Sequence, residues 1–178
     1  TDEEYGTWEY ESGDSTIQQK GLLEPMTNYF IGRVEQPILN NVSTVGIMVT
    51  DINRKQFGSA NVIGLDWFLK FFDNRVTFKG QLVRSKKDKS IGNGARFNIG
   101  YLDPKWWDIN FVTGFTDDQY EINDIGFNTR NDTWFYGTYG VLRKQDPWGI
   151  FLKNYLEFRY FIRGRGDGLT LSKSLSIE

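Results

Sequence analysis

The sequence predicts an all-β protein: an antiparallel up-and-down sheet of the kind that forms transmembrane β-barrels, or a large part of one, with about 9–10 strands in this chain. Three observations predict it. Turn-forming residues punctuate the chain at short intervals from residue 27 onward. The segments between them alternate apolar and polar residues with period two, and none holds a helical period over three turns. Aromatic residues gather near the ends of those segments.

Residues 1–26 form a polar N-terminal segment, with candidate strands over 6–11 and 15–23. From Asn28 the pattern predicts strands over 28–35, 42–51, 58–72, 75–84, 92–102, 105–115, 132–144, 148–163 and 168–177. Most reach the roughly 9–11 residues that a tilted strand needs to cross a bilayer. The expected connections alternate in length: short at 36–41, 73–74, 102–104 and 144–147, long at 51–59, 85–93, 116–131 and 164–168. Up-and-down pairing puts successive connections at opposite ends, which predicts short periplasmic turns at one end and long extracellular loops at the other.

Period two also assigns faces. Leu65, Trp67, Leu69 and Phe71 oppose Asp66, Phe68 and Lys70, and Val76, Phe78 and Leu82 oppose Thr77, Lys79 and Gln81. Further on, Phe97 and Ile99 oppose Arg96 and Asn98, Trp107, Ile109 and Phe111 oppose Asp108 and Asn110, and Ile150, Leu152, Leu156 and Phe158 oppose Lys153, Glu157 and Arg159. With the apolar set toward lipid, the candidate pore-lining set is Asp66, Lys70, Lys79, Gln81, Arg96, Asn98, Asp108, Asn110, Lys153, Glu157 and Arg159. The plain alternative is a salt-bridged interior that conducts nothing, since small barrels fill their lumen with side chains. Phe71, Phe72, Tyr101, Trp106, Trp107 and Trp148 flank the short turns, and Phe115 and Trp134 bracket the longest loop; these form the candidate aromatic girdles. A soluble antiparallel sheet would alternate as well.

Composition narrows the function classes. Mean hydropathy is −0.50 and there is no apolar run of about 18 residues, which excludes a transmembrane helix but not barrel strands, whose two faces average to polar. Aromatic content of 16% and 19 glycines suit β structure. A net charge of −2 argues against a nucleic-acid footprint. Cysteine and histidine are absent, so thiol chemistry, disulfides and the usual zinc, haem and iron–sulfur ligands go with them, as does the commonest general base. No nucleophile–base pair stands out, and the chain reads as non-enzymatic, without cofactor or metal. No secretory signal is visible at Thr1, so the chain reads as a mature form or, by preference, a piece of a larger protein.

Smaller features have bland readings. The acidic stretch Asp117 to Asp124 offers oxygen ligands without the spacing of a calcium loop, and reads as a solvated loop. Arg165, Gly166 and Asp167 spell an adhesion tripeptide that a glycine-rich turn explains. The basic run Arg84 to Lys89 can touch anionic polysaccharide or simply solubilise a loop tip. Tyr120, Phe127, Trp134, Phe135 and Tyr136 are candidates for stacking on sugar rings, and girdle packing explains Trp134 equally well.

Residues 24–51 carry a resemblance. The aromatic strand from Asn28 ends in Gly32, Arg33 and Val34, followed by Ile38 and Leu39, then Ser43 to Gly46, then Asn53 and Arg54. Gly64 to Asp66, Phe72 to Asn74, and Ile122 through Phe127 continue the pattern, and residues 105–178 match mainly by strand rhythm. This resembles a large bacterial family of unknown function that places a carbohydrate-binding-module-like β-sandwich before a C-terminal outer-membrane-type barrel. No sandwich is present in this chain. The resemblance implies an outer-membrane location in a Gram-negative bacterium and supplies no substrate. The first reading of the chain is a porin-like transport or surface-handling component linked to glycans. Outer-membrane lipid and further barrel strands or an upstream domain would be its partners. The alternatives are a soluble antiparallel carbohydrate-binding module, and a barrel acting only as anchor or subunit of a larger surface assembly.

Overall fold

Period-two alternation resolves into continuous ladders. The computed structural model describes every residue except 13, 14, 40, 56, 57, 104, 125, 127, 148 and 151. Its strands are β1 Glu4–Ser12, β2 Ser15–Glu24, β3 Thr27–Ile38, β4 Ser43–Arg54, β5 Ser59–Phe71, β6 Val76–Lys87, β7 Ser90–Leu102, β8 Trp107–Thr116, β9 Thr133–Lys144, β10 Asn154–Arg165 and β11 Thr170–Ile177. β1 and β2 form a two-stranded sheet, and β3 to β11 form one nine-stranded antiparallel sheet in chain order. β3 and β11 are its two edges, so among the described residues the sheet is open and no closed barrel is formed. Nine up-and-down strands leave those edges running parallel to each other, so they cannot join by the antiparallel pairing used everywhere else. Pro37 lies on edge strand β3, the one kind of strand where a missing N–H costs no ladder bond.

The hairpin hangs from one corner. The Thr1 ammonium donates to the Thr27 carbonyl at 2.7 Å, and the Thr27 N–H donates back to Thr1 at 3.1 Å. A Lys55–Glu3 ion pair at 2.8 Å adds a second tie. Within the hairpin Trp8 covers Gly21 and Leu23 covers Gly6, close approaches that a Cβ at either glycine would block.

Connection lengths depart from expectation. β6 and β7 are joined by two residues, Asp88 and Lys89, where a long loop over 85–93 was expected. The β4–β5 and β10–β11 connections span 55–58 and 166–169, so of the four connections expected to be long only the β8–β9 loop, 117–132, is, while the β9–β10 connection, expected short, runs over 145–153. The reason is that Ser85, Lys86 and Lys87 pair with Gly92, Ile91 and Ser90 as strand. A ladder saturates backbone hydrogen bonds whatever the side chains, so a polar strand end reads as loop in sequence. At the other end, β10 begins at Asn154 rather than 148: its ladder with β9 starts at the Asn154–Lys144 pair, and Gly149 sits at φ 56°, outside the strand conformation. Ile150, Leu152 and Lys153 therefore lie in the β9–β10 connection.

Registers fix the faces, since directly opposed residues project to the same side. One row reads Val34, Ile47, Leu65, Leu82, Ala95, Phe115, Trp134 across β3 to β9. A parallel row reads Leu69, Phe78, Ile99, Phe111, Thr138, Tyr160, Leu175 across β5 to β11. On the opposite face a single row reads Glu35, Gly46, Asp66, Gln81, Arg96, Gly114, Phe135, Arg163, Ser172. Among the described residues nothing covers the apolar face: Ile99 is 50% exposed and Phe111 49%. The buried hydrophobic residues among those described, Ile52, Ala60, Tyr120 and Val141, belong instead to the polar face and the loop that covers part of it.

Candidate functional site on the polar face

Ten of the eleven residues expected to line an interior share this polar face: Asp66, Lys70, Lys79, Gln81, Arg96, Asn98, Asp108, Asn110, Glu157 and Arg159. Lys153 does not, because β10 starts one residue after it. Several are held in pairs. Arg33 makes a two-pronged bond to Asp66 (2.9 Å to each oxygen) and a third contact to Glu35 at 2.8 Å. Arg143 pairs with Asp108, Arg159 with Glu157 at 3.0 Å, and the Asn98 amide donates to Asn110 at 2.5 Å. Other cations rest on rings: Lys70 and Lys79 over Phe68, Arg96 over Phe135 and Arg163 over Phe161.

Sequence reading missed the β8–β9 loop as a part of this face. It folds inward over β4 to β7. The main chain of Gln119 and Tyr120 lies directly on Gly92, so closely that a Cβ there would overlap it, and the Tyr120 ring lies on Gly94. Tyr120 is 8% exposed, and burial pushes its phenol above its ordinary value. The Glu121 N–H donates to the buried Ser85 hydroxyl at 3.0 Å. Asp124 is clamped between Arg54 at 2.6 Å and Lys87 at 3.0 Å. Burial raises its carboxyl, but the bonds from Lys87 and Arg54 outweigh that and hold it below its ordinary value. At the loop's base the Asn93 main-chain and side-chain N–H groups both donate to Asp117. Asp117, Glu121 and Asp124 thus turn to separate partners rather than converge. The one available signal was the run of small residues Ser85, Gly92 and Gly94 on adjacent strands, which forms a slot on a face otherwise filled by long side chains.

Two recesses flank Tyr120. One, of about 190 Å³, has Met48, Thr50, Val62 and Gly64 as floor, Ile122 of the loop as wall, and the Arg33–Asp66 pair at its rim. The Thr50 hydroxyl is buried there without a hydrogen-bond partner. The other, of about 150 Å³, lies beside Arg96, Phe135, Thr116 and Thr133. Gln81 borders both.

The expected girdle residues occupy both ends of the sheet. Phe71, Tyr101 and Trp107 lie on the apolar face near one end, where Tyr101 and Trp107 stack at 4.8 Å, and Phe115 and Trp134 lie on it at the other. Phe72 and Trp106 sit in turns at the first end, with Lys105 and Lys144 over the Trp106 ring. Trp148 lies outside the described residues, as does Phe127. The remaining sugar-stacking candidates do not make one platform: Tyr120 is buried, Phe135 is on the polar face, and Trp134 and Tyr136 are on the apolar one. The RGD tripeptide is a turn in which Arg165 and Asp167 pair with each other.

No curated protein and no solved structure matches the chain. A family match covers residues 3–171, spanning the hairpin and all nine strands of the large sheet up to the start of β11. The chain therefore belongs to the family described as Domain of unknown function (DUF5916).

Proposed function

We propose that this chain is a wall of an outer-membrane β-barrel in a Gram-negative bacterium, with its apolar face in lipid, its polar face toward a lumen, and a role in transport or surface handling. The observation that carries the reading is the uncovered apolar face. Nine strands at about 4.8 Å spacing make it about 38 Å wide. A soluble monomer rarely exposes so large an apolar patch. Trp107 and Phe115, the girdle residues of β8, are eight residues apart, about 27 Å along the strand and about 20 Å in height at the usual tilt. That is close to the apolar band of known barrels, about 25 Å tall. An apolar concavity of about 410 Å³ on this face, among Phe78, Phe97, Phe111 and Tyr160, suits an acyl chain.

The open edges are part of the proposal. Bare edges in lipid cost several kcal/mol per unpaired group, so further strands, from the same protein or another copy, close the ring at β3 and β11. All-antiparallel closure requires an odd number of added strands. The link to glycans rests on the family resemblance and its upstream sandwich. One observation favours the anchor alternative: the β8–β9 loop covers the polar face of β4 to β7 and narrows any lumen.

Partition of the native protein between aqueous and detergent phases tests the reading, with heat-modifiable gel mobility alongside. Detergent partition with a mobility shift is expected. A monomer that stays in plain buffer overturns the membrane reading and leaves the soluble binding module. Conductance in a planar bilayer then separates a transport barrel from an anchor.

A further inference from the structure

We infer that the polar face of β6 to β10 binds multiply charged oxyanions, with Arg96 as the primary cation and Arg163 as the second. This assigns a ligand class to the lumen side of the proposed wall, and rests on that reading only for its physiological setting. The cations of the polar face fall into two kinds. Arg33, Arg54, Arg143 and Arg159 each have a carboxylate: Asp66 and Glu35, Asp124, Asp108, and Glu157 in turn. On β6 to β10, Lys79, Arg96 and Arg163 form no ion pair among the described residues, and each lies over an aromatic ring. Such a cation keeps its outward N–H donors for a ligand while the ring holds its orientation.

The recess beside Arg96 has the other donors that an oxyanion needs. Gln81, opposite Arg96 on the ladder, lines it and carries an amide that can donate. Thr116 and Thr133 line it too, and their hydroxyls bond each other at 3.2 Å, which leaves one of the two hydroxyl hydrogens to donate. Gly114 stands between Arg96 and Phe135 in the row, and its missing side chain lets the Arg96 guanidinium reach across to 5.9 Å from the Phe135 ring. Arg163 is directly opposite Phe135 on the next strand. A ligand with two or more anionic groups can thus span from Arg96 past Phe135 toward Arg163. Two acids stand beside the recess in sequence: Asp117, next to Thr116, accepts from Asn93 through one oxygen, and Asp132, next to Thr133, has its carboxylate against Gly166. Phosphorylated and polycarboxylated solutes fit this arrangement; neutral ones leave its cations unused.

The test is calorimetric titration of the folded full chain with inorganic tripolyphosphate at low ionic strength, in whichever medium keeps it monodisperse. Saturable binding is expected, weakened at least tenfold in Arg96→Gln and severalfold in Arg163→Gln. Arg96→Lys, which keeps the charge but loses the planar fork, should fall between. Lys105→Gln, in the turn at the opposite end, should bind as the parent does. Absence of saturable binding overturns the inference, and so does an equal loss in Lys105→Gln, which would mean diffuse surface charge. Near-ultraviolet circular dichroism of each variant establishes that the fold is intact. The readout needs no membrane: binding without detergent partition sinks the barrel reading alone, and partition without binding sinks this inference alone.

Discussion

The two halves of the polar face are built from the same ladder and differ in what lies on top. Over β4 to β7 the β8–β9 loop supplies a lid with its own small core, in which Tyr120 rests on Gly92 and Gly94, and Asp124 joins Arg54 to Lys87. Over β8 to β10 none of the described residues covers the sheet, and polar residues are held by neighbours in their own plane, as Asn110 is by Asn98 and Arg159 by Glu157. A single sheet has no second layer to bury against, so long-range burial arises only where a loop folds back. Side-chain removal should therefore act on the loop in one half, and only on local sheet stability in the other.

The largest effect is expected at Tyr120. Truncating a buried aromatic to alanine costs about 3–5 kcal/mol. The sheet ladders do not pass through Tyr120, so the loss falls on the loop's closed state, and about 3 kcal/mol there raises the open fraction on the order of 100-fold. Arg130 lies in this loop. Tryptic cleavage after it should accelerate by that order in Tyr120→Ala while the strands stay protected. An unchanged rate would mean that Tyr120 does not hold the loop.

Asp124 should matter next. Its partners are partly exposed, Arg54 20% and Lys87 41%, so the clamp is worth less than a fully buried pair. Asp124→Asn should cost about 1–2 kcal/mol, raising the same cleavage about tenfold. The sign of the pH effect follows from the lowered carboxyl. Its stabilisation of the closed loop is complete above the unfolded value of about 4 and is lost as pH falls through the lower folded value. Loop opening, followed by hydrogen exchange of the Glu121 amide, should thus rise below about pH 4 in the parent and show less of that rise in Asp124→Asn. A parent flat from pH 6 to about pH 2 would remove the clamp from the account.

The contrast between the halves also explains what could be read in the sequence. Face assignment was legible because period two depends only on neighbouring residues: Leu65, Phe78, Phe97, Phe111 and Phe158 do share one side, and Asp66, Gln81 and Arg96 the other. Strand ends were less so, since Ser85 to Lys87 is polar on both faces and pairs nonetheless. The loop's place was not legible from its own composition. Asp117 to Asp124 looks solvated, and only the small residues opposite, on strands more than 24 positions away in the chain, make room for Tyr120 and Glu121. Alternation is the same in an open sheet and a closed one, so the open edges were legible only through the odd count of nine strands.

The smallest effect belongs to the uncovered half and serves as the control for the other two. The Asn98 amide donates to Asn110 at 2.5 Å across β7 and β8, a part-buried neutral pair with no contact to the loop. Removing it in Asn98→Ala forfeits one net hydrogen bond, about 0.5–1.5 kcal/mol, because both asparagines can regain water from the open side. The cost should appear in global unfolding by denaturant and leave cleavage after Arg130 at the parent rate. If cleavage accelerated with it, the halves would be coupled through the sheet, and the loop's stability would come from the ladder beneath it rather than from Tyr120 and Asp124.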